Sequence, residues 1–277
     1  MTTTSEAAPE SHARGMTPAA GLPAQTAAFY RETLATLSAA DAPFLVGGAY
    51  ALASYTGVER HTKDLDVFVR AGDVDRTLAA LAAAGCETEL TFPHWLGKAC
   101  RGDDFIDVIF SSGNGVAAVD DAWFAHAVPA DILGLPVHLI PPEEMLWSKA
   151  FVLERERFDG ADINHLLRVA ELDWRRVLRR FGEQWAVLLA HLVLFRFVYP
   201  TDAGNVPAWA MHELLAREAA DLAAPAPTER VCLGPLLSRA QYLIDIEEWG
   251  FRDPRLRANG GAMTEAEIRH WTAAIGH

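Results

Sequence analysis

Residues 44–70 read FLVGGAYALASYTGVERHTKDLDVFVR. The stretch has three parts. Residues 44–46 are a short apolar run that stops at Gly47 and Gly48. Residues 49–55 are small and apolar with helical character, and residues 65–69 are a second apolar run with Asp64 and Asp66 at its start. Side chains alternate sides along a strand, so Asp64 and Asp66 point to the same face. Two carboxylates on one face repel each other unless a cation neutralises them, and a hard, oxygen-seeking ion such as Mg²⁺ suits that task. The two glycines let a backbone turn approach a ligand closely, and the helix that follows aims its N-terminus at an anion. A phosphate cradle beside paired carboxylates is a device for phosphoryl chemistry.

Further along, residues 97–101 and 105–110 predict a hairpin across Gly102, Asp103 and Asp104. Its second arm, Phe105-Ile106-Asp107-Val108-Ile109-Phe110, buries a lone carboxylate or turns it to water at a sheet edge. Burying it unpaired is costly. Pro141-Pro142-Glu143-Glu144 is a strong helix start, and the helix is expected to run to about Arg157 with Lys149 on it. Residues 158–165, FDGADINH, then turn into another helix.

Glycines, a helix and a strand carrying Asp64 and Asp66 together resemble the nucleotidyltransferase superfamily typified by DNA polymerase beta. Its small bacterial members include antibiotic nucleotidyltransferases and the toxin halves of abortive-infection systems. Gly47, Gly48, Asp64 and Asp66 match the pattern. Fifteen residues separate Gly48 from Asp64, slightly more than usual, and Gly48 stands where many members carry Ser. The resemblance, which covers about half the chain, implies a mixed-sheet nucleotidyltransferase domain over residues 25–160. The near absence of strand pattern after Leu172 predicts an all-helical domain over 161–277, and the whole is expected to be α+β. The resemblance also implies an enzyme that moves a nucleoside monophosphate from an NTP, such as ATP, to a hydroxyl acceptor and releases pyrophosphate. Asp64, Asp66 and Asp107 would be the catalytic, metal-binding carboxylates for Mg²⁺ or Mn²⁺, with Asp107 taking the acceptor's proton. Gly47, Gly48, Lys149 and Asp162 would bind the nucleotide. Lys149, Arg157, Asp159 and Asp162 resemble the basic and acidic cluster that lies near the nucleotide in bacterial relatives. Asp159 or Asp162 would touch base or ribose, or hold Lys149 in place. The plainer alternative makes Lys149 a solvated side chain and the two aspartates turn and cap residues. His165 reads as structural.

A chain of 277 residues with 51% apolar residues has ample core for one large or two smaller domains. Its net charge of −13 argues against an extended nucleic-acid surface. Cys86, Cys100 and Cys232 show no metal-binding spacing and fit a reducing cytoplasm. Residues 185–199 come nearest to a membrane span, but they are short and hold His191 and Arg196. Residues 1–24 are Thr-, Ser-, Ala- and Pro-rich and are expected to be a disordered tail without signal-peptide character. Lysine occurs only at Lys63, Lys98 and Lys149, against 21 arginines.

Helices are expected at 25–40, 74–84, 120–127, 174–181, 185–199, 208–224, 236–249 and 264–275, the last with a capping sequence. Strands are expected at 86–92 and on both sides of Gly134. The Ser/Gly/Asn loop 111–115 is a turn that could hold phosphate. Arg175, Arg176, Arg179 and Arg180 form a basic helix, solvated or turned to an acidic partner. Tyr242, Asp245, Asp253 and Arg255 could reach the cleft but are read as core and cap residues. Three functions compete. The favoured one is transfer to a small molecule. The second is a toxin-type transferase acting on RNA or protein, with an antitoxin partner. The third is a catalytically silent protein that keeps the fold for binding.

Overall fold

The sheet is built around two neighbouring central strands, β2 (Leu65–Phe68) and β5 (Asp104–Ile109), which run parallel with Asp66 directly beside Asp107. The computed structural model describes residues 22–59, 62 and 64–274. The stretch up to residue 21, expected to be disordered, lies outside the described residues, as does Lys63. A first helix, α1 (Ala24–Ala39), leads into β1 (Leu45–Val46) and α2 (Gly48–Thr56). After β2 come α3 (Val74–Ala83), β3 (Glu87–Phe92), β4 (Leu96–Arg101) and β5, then α4 (Asp121–Ala125), β6 (Val128–Ile132) and β7 (Leu135–Leu139). The seven strands lie in the order β3-β4-β5-β2-β1-β7-β6. The β2–β5 and β1–β7 pairs are parallel and the others antiparallel, so the sheet is mixed.

Helices fill the remainder: α5 (Pro142–Ala150), α6 (Gly160–Val169), α7 (Trp174–Phe181), α8 (Trp185–Val198), α9 (Ala208–Ala223), α10 (Leu243–Glu247) and α11 (Glu265–Ala273). The architecture is α+β, a mixed sheet followed by helices. One apolar cluster runs from Phe29 on α1 through the sheet to Leu214 on α9 and Leu236. A smaller cluster joins Met263, Ile268 and Trp271 to Phe92 and Trp95 at the β3–β4 end. Thr264 and Glu267 form the expected capping box on α11.

Two expected helices are shorter than their sequence suggested. The helix from Pro142 stops at Ala150 instead of continuing to Arg157. The run Glu154-Arg155-Glu156-Arg157 has no apolar face to bury, and the chain instead bends so that Leu153 pairs with Phe158. The second is the span 236–249, where only α10 is α-helical. Ser238 Oγ and the Arg239 N–H both donate to the Glu154 carboxylate (2.6 and 3.1 Å), which holds this segment as a turn.

The basic helix α7 divides by face. Arg176 and Arg180 point inward, while Arg175 and Arg179 are exposed. Arg176 is buried against Glu143 (3.3 Å) and Glu144, and Arg180 Nε donates to Glu144 (2.7 Å) and its two terminal nitrogens to Asp120 (2.6 and 2.8 Å). Solvation therefore describes only half of this helix. Taken together, α7 and α8 form a helical run, Trp174–Val198, of 25 residues, within which an 18-residue window has a mean hydropathy of 1.3. By length and composition it reaches a membrane span, which residues 185–199 alone did not. Its inner side, Leu188, His191, Leu192 and Phe195, packs into the core.

Removing Arg176 leaves two buried carboxylates short of their counter-charge. Arg176→Ala should lower unfolding stability by about 3–5 kcal/mol in urea titrations, whereas Arg175→Ala, on the exposed face, should stay within about 0.5 kcal/mol of wild type.

Candidate active site

The site forms where β1 ends and α2 begins. The Gly47 N–H donates to the Asp66 carbonyl (3.0 Å), which ties the turn to β2. A side chain on Gly47 would drive into the Phe68 ring at 2.2 Å. Gly48 has a φ of +56° and starts α2, and a Cβ there would lie 1.6 Å from Asp66 Oδ2. A side chain here would start from a strained backbone and would require the Asp66 carboxylate to move aside. Gly48 and Ala49 line the cleft, and Gly47 does not.

Asp64, Asp66 and Asp107 each bring one carboxylate oxygen to a common point, with the three atoms within 4.8 Å of one another. The register of β2 and β5 sets the Asp66–Asp107 pair, and the pleat sets Asp64 beside Asp66. Burial, then repulsion from Asp64 and Asp107, pushes the Asp66 carboxyl up to about 7, against the pull of Lys149 and Arg157. Burial likewise raises Asp107, opposed by Lys98, whose Nζ lies 3.0 Å from Asp107 Oδ1. Thr62 Oγ1 donates to Asp64. The donor set is three hard carboxylate oxygens carrying more negative charge than their surroundings balance, which fits Mg²⁺ or Mn²⁺.

Lys149 reaches across from α5. Its Nζ donates to Asp159 Oδ2 and Asp162 Oδ2, both at 2.8 Å. Arg157 makes a two-point contact with Asp159 at 3.0 Å each. Although burial opposes it, Arg157 and Lys149 hold the Asp159 carboxyl below its usual range. Asp159 and Asp162 therefore stand against Lys149, and all four residues line the cleft.

The cleft has a volume of about 580 Å³. Its lining combines the aspartates, Lys149 and Arg157 with the apolar Phe68, Trp123, Ile140 and Met145. The loop Ser111 to Asn114 lines it and is fastened to the helical half by Asn114 Nδ2 donating to the Leu236 carbonyl (2.6 Å). Trp95, Glu154, Glu156, Arg239 and Trp271 also line the cleft, none of which the sequence reading singled out. Trp271 lies over Gly113, where a Cβ would meet its ring at 2.6 Å. Only Lys98 had left a signal, as one of three lysines. His165, Tyr242, Asp245, Asp253 and Arg255 do not line the cleft. Asp253 and Arg255 are buried against each other (2.7 Å).

A family model described as "Uncharacterised nucleotidyltransferase" matches residues 24–196. No curated protein gives a significant match. Among solved structures, the antibiotic-resistance factor ANT(2'')-Ia is 15% identical, with 73% of this chain and 100% of that chain covered at a TM-score of 0.40. A nucleotidyltransferase-like protein from Paracoccidioides brasiliensis is 17% identical, with 66% and 94% covered at 0.45. The lincosamide antibiotic adenylyltransferase LnuA is 14% identical, with 52% and 96% covered at 0.36.

A carboxyl raised from its unfolded value to about 7 favours the folded state only while protonated. Its contribution is complete below about pH 4 and is lost as pH rises toward 7. In metal-free buffer Asp66→Asn should flatten that loss and exceed wild type in unfolding stability at pH 8 by a few kcal/mol. Parallel pH profiles for the two proteins would contradict it.

Proposed function

The chain belongs to the nucleotidyltransferase family matched by residues 24–196, and from that premise we propose that it transfers a nucleoside monophosphate from an NTP to a hydroxyl group on a small molecule. The observation that carries this reading is the gathering of three aspartate oxygens within 4.8 Å at the start of α2. Asp64, Asp66 and Asp107 would hold Mg²⁺ or Mn²⁺. Such an ion, when bound, neutralises triphosphate charge and the charge developing on pyrophosphate.

The chain's own residues divide the remaining work. The Gly47 N–H is committed to the sheet, so the first free N–H groups of α2, those of Gly48 and Ala49, take the phosphate. Lys149 adds positive charge and is aimed by Asp159 and Asp162. Asp162 is thus a nucleotide-site residue through Lys149. Asp107 accepts the proton as the acceptor oxygen bonds to the α-phosphorus and the bond to pyrophosphate breaks. Burial raises its proton affinity, which suits a base, and Lys98 fixes its direction.

A cleft of about 580 Å³ favours a small acceptor over a polynucleotide, and Glu154 and Glu156 on its wall favour a cationic one. The toxin-type reading rests on Arg175 and Arg179. They line a separate cleft of about 390 Å³ with Trp209, away from the aspartates. The three free cysteines support a cytoplasmic setting. The division near residue 160 into transferase and helical parts belongs to the same proposal.

Thermal unfolding with each of the four NTPs, with and without Mg²⁺, tests it. One NTP should raise the stability of wild type in a Mg²⁺-dependent way, by about 2.7 kcal/mol at 100 times its Kd. Asp64→Asn/Asp66→Asn should fold and lose that gain together with pyrophosphate release. Absence of any nucleotide effect in wild type would favour a silent binding protein.

A further inference from the structure

Helix α8 carries a single formal charge, Arg196, over its 14 residues. A helix that is apolar all round normally lies inside a core. Only one side of α8 does so. Ala186, Ala190, Val193 and Phe197, at spacings of four, three and four, form the opposite face and are exposed. Phe197 is 83% and Val193 54% exposed, with Leu194 and Val198 exposed alongside them. That spacing is the seam by which helices pack against one another in pairs. Among the described residues nothing covers it.

We propose that this face pairs, antiparallel, with the same face of a second copy of the chain. The seam is self-complementary in size. Pairing about its midpoint sets Phe197 opposite Ala186 and Val193 opposite Ala190, so a large side chain meets a small one in both layers. The exposed side chains offer on the order of 500 Å² per copy, and the symmetric pair buries about 1,000 Å², where specific interfaces begin. The face itself is uncharged apart from Arg196 at its edge. Two copies can therefore pair there without stripping water from ion pairs, against a diffuse repulsion between chains of net charge −13 that salt screens. This interface is independent of the transfer chemistry and does not rest on it.

Sedimentation velocity of the full chain across the micromolar range reads it directly. Wild type should run at twice the chain mass of 30.2 kDa. Phe197→Glu and, separately, Val193→Glu should run at the single-chain mass with unchanged circular dichroism, a loss of roughly 100-fold or more in dimer affinity. An Ala186→Cys/Phe197→Cys chain should form an intermolecular disulfide that neither single variant forms. A wild type monomeric over the whole range would overturn the proposal, as would a dimer untouched by both charge variants. A monomer that co-floats with phosphatidylcholine vesicles would overturn it in favour of a lipid surface.

Discussion

The Asp66 carboxylate rests on Gly48, a backbone position that has no side chain. The space above Gly48 is filled by Asp66 Oδ2, so the turn, the start of α2 and the carboxylate are fixed in relation to one another by van der Waals exclusion. Strand register then adds Asp107, and the pleat adds Asp64. The result is a concentration of negative charge at the middle of a sheet, where water screens it poorly. The surrounding arrangement answers that charge. Lys98 approaches from the neighbouring strand β4, and Lys149 and Arg157 approach from the helical side. The two lysines among the described residues are both bonded to aspartates that line this cleft.

A second concentration of charge joins the sheet-bearing part to the helices. Glu143 and Glu144 open α5 and are buried, and Arg176 and Arg180 on α7 meet them, with Asp120 at the rim. Buried pairs of this kind contribute little net stability compared with apolar packing, but breaking one is costly. Their effect here is positional. They set α5 against α7, and α5 carries Lys149 into the cleft.

Most of the strand and helix order was legible because it follows local rules. Alternation gave β2 and β5, Gly134 marked the β6–β7 turn, and the Thr264–Glu267 box started α11. The aspartates could be read as a cluster because residues two apart on a strand share a face and Asp107 stood alone in an apolar run. The wall of the cleft could not be read. Trp95 and Trp271 meet only through tertiary packing, and nothing in either neighbourhood signals the other. Arg175 to Arg180 looked uniform in sequence, and only the positions of Glu143, Glu144 and Asp120 separate its buried from its exposed face. The helix after Pro142 was drawn too long because propensity favours it, while the missing apolar face after Ala150 decides against it.

The chain's order of synthesis meets the cleft at an awkward place. The carboxylate cluster and Lys149 emerge from the ribosome well before Leu236, Arg239 and Trp271, which close the far side. A nascent chain thus presents its three aspartates to water before that side of the cleft exists. The seating of Trp271 on Gly113 brings that side against the loop beside the aspartates. The carboxylates and the tryptophan that faces them across the loop come from distant parts of the sequence, and only tertiary packing joins them.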